Sequence, residues 1–103
     1  MTTKYEISRT RFFDRWFNKQ AREVARETTD GILSLQRGNF SNCKLLRNGI
    51  FELKIHYGKG IRVYYAKNGE TILILLYGGA DKKQQTKDIE KAIKIKEVLK
   101  EHV

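Results

Sequence analysis

Phe51-Glu52-Leu53-Lys54-Ile55-His56-Tyr57-Gly58-Lys59-Gly60-Ile61-Arg62-Val63-Tyr64-Tyr65 is the stretch on which the fold turns. Apolar and polar residues alternate on both sides of Gly58-Lys59-Gly60, the period of a strand covered on one face, and the two glycines mark a tight connection. A three-residue loop there pairs Tyr57 with Ile61, His56 with Arg62, Ile55 with Val63 and Lys54 with Tyr64. Opposed residues point the same way. Phe51, Leu53, Ile55, Tyr57, Ile61, Val63 and Tyr65 then form an apolar face, and Glu52, Lys54, His56, Arg62 and Tyr64 form a polar one.

Downstream, Asn68-Gly69 is a type I′ hairpin signal that returns the chain into Ile72-Leu73-Ile74-Leu75-Leu76-Tyr77, a run apolar on both faces and so a central strand. Something must also cover Leu73 and Leu75. The last helix is the candidate, with Ile89, Ala92, Ile93, Ile95, Val98 and Leu99 at helical spacing and Asp81 as N-cap. Upstream, Phe12, Phe13, Trp16, Phe17, Ala21, Val24, Ala25, Ile32 and Leu33 recur at three and four, a stripe of two helices that break near Asn18 and end at Gly38-Asn39, a pair suited to a left-handed cap. Tyr5 and Ile7 alternate with polar neighbours as a short first strand. The expected fold is α+β: a small antiparallel sheet with two N-terminal helices on one face and a C-terminal helix partly covering the other.

The chain has 103 residues, 40% of them hydrophobic, with five Phe, five Tyr and one Trp. That suits one domain over 1–103 with its own core, not a disordered chain. The sole cysteine, Cys43, forbids an internal disulfide, reads as a buried strand residue rather than a nucleophile, and fits a reducing cytoplasm. An N-terminus without an apolar leader core, and no apolar run near the ~20 residues that span a bilayer, point away from secretion and membranes.

Charge is uneven along the chain. Of the net +9, the segment 37–67 carries +6: Arg37, Lys44, Arg47, Lys54, Lys59, Arg62 and Lys67 are opposed only by Glu52. A focused basic field attracts polyanions by counterion release, so nucleic acid is the leading partner. On the polar face, Lys54, His56, Arg62 and Tyr64 suit cleavage of RNA by its own 2′-hydroxyl. That reaction needs a group to take the 2′ proton, a group to protonate the departing 5′-oxygen, and fixed positive charge at the phosphorane. No metal is required. Histidine exchanges protons near neutral pH, Arg62 grips phosphate bidentately, Lys54 supplies charge or acts as base, and Tyr64 stacks on a base. The competing readings are a surface histidine at 56, an Arg62 ion pair with Glu52 or Asp81, and a Tyr64 that merely packs. Gly58-Lys59-Gly60 lacks the strand-loop-helix setting of a phosphate loop, and two distant histidines with one cysteine give no metal-ligand spacing.

Gly38-Asn39-Phe40, the 51–65 stretch, Gly78-Gly79-Ala80-Asp81-Lys82-Lys83-Gln84-Gln85 and Asp88-Ile89 together resemble the addiction-module killer proteins, a HigB-like branch of the RelE/ParE toxin superfamily. The match runs from about Phe12 to Leu99. It implies a type II toxin, a metal-independent mRNA endoribonuclease acting on ribosome-bound mRNA, with no cofactor and a cognate helix-turn-helix antitoxin. The positions that match the basic residues of RelE-like nucleases are Lys54, Arg62, Lys82 and Lys83. Many relatives carry Arg where Lys54 stands, and lysine loses the bidentate grip. With the residue reading, the expected catalytic set is Lys54, His56, Arg62 and Lys82, and the RNA contacts are Tyr64, Arg37, Lys44, Arg47, Lys59 and Lys83. The superfamily also holds gyrase inhibitors, so a non-enzymatic toxin is the alternative.

Overall fold

The alternating 51–65 stretch forms two antiparallel strands, β3 (Phe51–Ile55) and β4 (Ile61–Asn68), inside a computed structural model that describes residues 4–101. Residues 1–3, part of the leader argument, and 102–103 lie outside the described residues. Around this hairpin the chain places β1 (Glu6–Arg9), α1 (Arg11–Asn18), α2 (Arg22–Gln36), β2 (Cys43–Leu45), β5 (Ile72–Gly79), a 3₁₀ turn (Lys82–Gln84) and α3 (Gln85–Glu101). The sheet order is β1-β5-β4-β3-β2.

The hairpin register differs from the expected one by two residues. Ile55 opposes Ile61, Lys54 opposes Arg62 and Glu52 opposes Tyr64. The connection is five residues, His56 to Gly60, because Gly60 N–H closes a turn onto the Tyr57 carbonyl at 2.9 Å. A slip of one would turn every side chain over; a slip of two preserves the faces. Phe51, Leu53, Ile55, Val63 and Tyr65 therefore pack with the N-terminal helices as expected, but His56 and Tyr57 leave the strands for the loop. The Asn68-Gly69 turn is likewise longer than expected, since Asn68 opposes Ile72 across Gly69–Thr71.

β1 corrects the all-antiparallel expectation: it runs parallel to β5, Ile7 beside Leu73. No hairpin joins these strands, so nothing forces them antiparallel, and β1 takes the free edge of β5. Its end leads directly into α1 through Thr10. The Thr10 hydroxyl accepts from Phe13 N–H and donates to the Leu76 carbonyl, both at 3.1 Å. That carbonyl belongs to a bulge, for Tyr65 opposes Leu75 while Tyr64 opposes Tyr77, leaving Leu76 without a partner. The N-cap of α1 thus also satisfies the irregular backbone of β5.

Helical spacing is realised as two helices broken after Asn18. α2 ends in a Schellman arrangement: Gly38, at φ 88°, donates to Leu35 and Asn39 donates to Ser34. Only glycine adopts that φ without strain. One core layer holds Phe13, Leu35, Leu53, Val63, Tyr65, Leu73 and Leu75 between the sheet and the N-terminal helices; the other holds Ile50, Tyr64, Ala66, Leu76, Ala92 and Ile95 beneath α3. Leu73 and Leu75 thus belong to the first layer, and α3 covers Tyr64, Ala66 and Leu76 instead. Each fully buried Leu or Phe contributes roughly 1.5 to 3 kcal/mol relative to exposure. No helix of the described residues is long and apolar enough to cross a membrane.

Candidate functional site

The antiparallel pairing brings the loop 56–60, the start of β4 and the end of β5 to one end of the sheet, since Arg62 opposes Gly79. The chain then turns through Asp81, whose carboxylate accepts from Lys83 N–H at 3.0 Å, and enters the 3₁₀ turn. An open cleft of about 400 Å³ forms where these segments meet, lined by Lys54, His56, Tyr57, Gly58, Lys59, Gly60, Arg62 and Lys82. All four expected catalytic residues face it. Lys54, His56, Lys59 and Lys82 are exposed and free to contact a large ligand.

Arg62 is different. It is only 5% exposed, and its Nε lies 3.7 Å from Oε2 of Glu52, itself 2% exposed. The competing reading of an ion pair with Glu52 therefore holds alongside the cleft position; Asp81 is not its partner. The separation is too long for a hydrogen bond, and Arg62 Nε has no other acceptor among the described residues. Glu52 is shared. Gln85, the first residue of α3, donates to the same Oε2 at 2.8 Å, and Lys44 approaches Oε1 at 3.9 Å. A cation held dry beside an open cleft acts through a lower dielectric than a solvated one and attracts an anion there more strongly.

Other expected RNA contacts fall elsewhere. Tyr64 is 0% exposed beneath α3, so no base can stack on it; β4 turns it toward the sheet face that α3 seals. Its hydroxyl has no hydrogen-bond partner among the described residues, and burial together with the Glu52 and Asp88 carboxylates pushes its pKa up. Lys44 lies in edge strand β2 on the Glu52 face, Arg47 in the turn after β2, and Lys83 in the 3₁₀ turn; all are exposed and none lines the cleft. Arg37 stands at the end of α2, where Gln36 accepts from Tyr5 at the start of the sheet. Lys67 points to the other face, its ammonium 5.0 Å from the Phe51 ring centre. The segment 37–67 is thus no single patch: Lys54, Lys59 and Arg62 reach the cleft, joined by Lys82 from outside it.

Cys43 sits half-buried in β2, and burial pushes its thiol pKa up, the condition of an inert thiol. Lys54 and His56 also border a second cleft of about 240 Å³, whose far wall carries Glu27, Asp30, Ser34, Asn39 and Asn42. The two residues form the ridge between a basic and a mixed polar hollow.

No family model matches the chain. An uncharacterized protein of Haemophilus influenzae is 42% identical over 88 residues, which cover 84% of this chain and 88% of that protein. The chain belongs to that protein's family. Among solved structures, the free-state E. coli toxin RelE, as an arginine-to-alanine variant, superposes with a TM-score of 0.70 at 14% identity, over 88% of this chain and 96% of that one. The RelBE2 toxin-antitoxin complex of Mycobacterium tuberculosis gives 0.60 at 21% identity, over 73% and 95%. The fold is therefore that of the RelE toxins.

Sequence reasoning missed Gln85. Helical capping draws attention to Asp81 and Gln84, three apart, but the side chain that reaches the sheet is the next one. Only the seating of α3 on β4 and β5 brings its first residue, Gln85, to Glu52 on the neighbouring β3.

Proposed function

We propose that the chain is the toxin of a type II toxin-antitoxin pair, a HigB-like member of the RelE/ParE superfamily that cleaves ribosome-bound mRNA without a metal. The observation that carries this reading is the convergence of Lys54, His56, Arg62 and Lys82 on one open cleft. In the reaction the 2′-oxygen attacks the adjacent phosphorus, the bond to the 5′-oxygen breaks, and a 2′,3′-cyclic phosphate and a 5′-hydroxyl result. Arg62 and Lys82 hold the phosphate as its charge grows, and His56 and Lys54 divide the proton transfers between the 2′- and 5′-oxygens. Lys59, at the loop tip, adds charge for the RNA backbone. Lys44, Arg47 and Lys83 are exposed but lie outside the cleft, Arg47 beyond the far end of β3, where they are left to contact a longer stretch of backbone.

Support for the toxin reading comes from the RelE fold and from the motifs at 38–40, 51–65 and 78–89. The M. tuberculosis neighbour is a toxin-antitoxin complex, and an antitoxin of the helix-turn-helix class is the proposed partner here, in the cytoplasm. An inhibitor need only cover the cleft to silence the site.

Because Arg62 is buried against Glu52, its removal would confound folding with function; the exposed residues make the sharper test. Expression of the chain should arrest growth, and primer extension on translated mRNA should show codon-spaced cuts. Lys54→Ala and His56→Ala should each lower cleavage at least about 100-fold while Tm stays unchanged. Inhibition of supercoiling with intact RNA would sink the nuclease reading and favour a gyrase-directed toxin.

A further inference from the structure

Glu52 is a buried carboxylate with three cationic or donor groups around it, and the way they share it bears on the cleft. Gln85 Nε2 and Arg62 Nε converge on the same oxygen, Oε2, at 2.8 Å and 3.7 Å. One makes a hydrogen bond and the other does not. At its far end Arg62 lies along the loop: a Cβ on Gly60 would come within 3.4 Å of Arg62 Nη1, so the terminal nitrogens reach the loop that walls the cleft.

We propose that Gln85 is a positioning residue for Arg62: by donating to Glu52 Oε2 it holds that carboxylate off the guanidinium and leaves the Arg62 charge for a phosphate in the cleft. This rests on the RNA-cleaving reading above. Without the amide, Oε2 loses its hydrogen bond from Gln85 and moves onto Arg62 Nε, which has no acceptor among the described residues. A closed Glu52–Arg62 pair is neutral toward the cleft, since a desolvated pair keeps its charges for each other. The first turn of α3 therefore sets how strongly β4 can grip RNA. The availability of Arg62 follows the seating of that turn, although Gln85 never touches the substrate.

The test uses the whole chain and a 2′-O-methyl oligoribonucleotide of mixed sequence, which cannot be cut, with binding followed by fluorescence anisotropy across a salt titration. Gln85→Ala should weaken binding about 3- to 10-fold at low salt and reduce the slope of log K against log salt by about 0.7, the share of one phosphate contact on a single strand. Gln85→Met, which keeps length and helix propensity, should behave alike, so a disturbance of α3 by alanine cannot imitate the effect. On cleavable RNA, kcat should fall as well as KM rise, because Arg62 holds the phosphate most strongly as its charge grows. Adding Glu52→Gln to Gln85→Ala removes the competing charge and should restore the slope. An unchanged slope in both single variants, or no restoration in the double variant, overturns the proposal while leaving the nuclease reading intact. A parent protein that binds the oligonucleotide without salt dependence and cuts no RNA overturns both.

Discussion

Asp88 shows how much one side chain's surroundings decide. It lies in the first turn of α3 with its carboxylate against Gly79, and burial, opposed by Lys91 and reinforced by Asp81, pushes its pKa up to about 6 from 3.8. The folded state therefore binds the proton more tightly than the unfolded chain. Stability falls as pH rises through this window, and the penalty is complete above about 6. The full displacement converts to about 3 kcal/mol, and partial solvent access cuts it to about 1 to 2. Asp88→Asn removes the penalty but also a favourable charge near the helix N-terminus worth about 0.3 to 1 kcal/mol. Its Tm should exceed the parent's at pH 7 by a few degrees, with the gap gone at pH 4; an equal gap at both would show that ionisation is not the cause. Parity placed Arg62 and Tyr64 on the correct face of β4, but parity says nothing of what lies over that face. Both are buried because α3 comes down on Tyr64 and Glu52 draws Arg62 inward.

At the scale of elements, the close approach of α1 and α3 to the end of β5 depends on its paired glycines. Trp16 occupies the space a side chain at Gly78 would need, and Asp88 the space at Gly79, on opposite faces of the strand. Gly78→Ala should cost about 1 to 3 kcal/mol by overpacking, seen as a fall of several degrees in Tm, and Trp16→Leu in the same chain should recover part of it. A Gly78→Ala protein as stable as the parent would mean that α1 can move away without loss. The two N-terminal helices, the Gly38 cap and the central, doubly apolar β5 were legible because periodicity and φ preference are local properties. The parallel direction of β1 and the bulge at Leu76 were not. Each depends on a partner more than sixty residues away: β1 pairs with β5, and the Leu76 carbonyl with Thr10.

For the whole molecule, net charge matters less than where the fold gathers it. Arg37 belongs to the basic segment in sequence yet lies beside the start of β1, whereas Lys82 lies outside that segment and faces the cleft. Lys59→Glu and Arg37→Glu change the net charge equally. Binding of the uncleavable oligonucleotide at low salt should drop about 10-fold in the first and little in the second. Equal losses would mean that a diffuse field, rather than the cleft, recruits RNA.

The amino-acid order by itself determined which residues share a sheet face, where the helices break and cap, and that positions 54 and 62 would lie on one surface. These follow from a period of two in strands, a period near 3.6 in helices, and the few residues that tolerate positive φ. Tertiary structure alone decided that Tyr64 is sealed and that Glu52 lies between Arg62 and Gln85. Those outcomes depend on how α3 seats on the sheet, a contact between segments about thirty residues apart that no local pattern encodes.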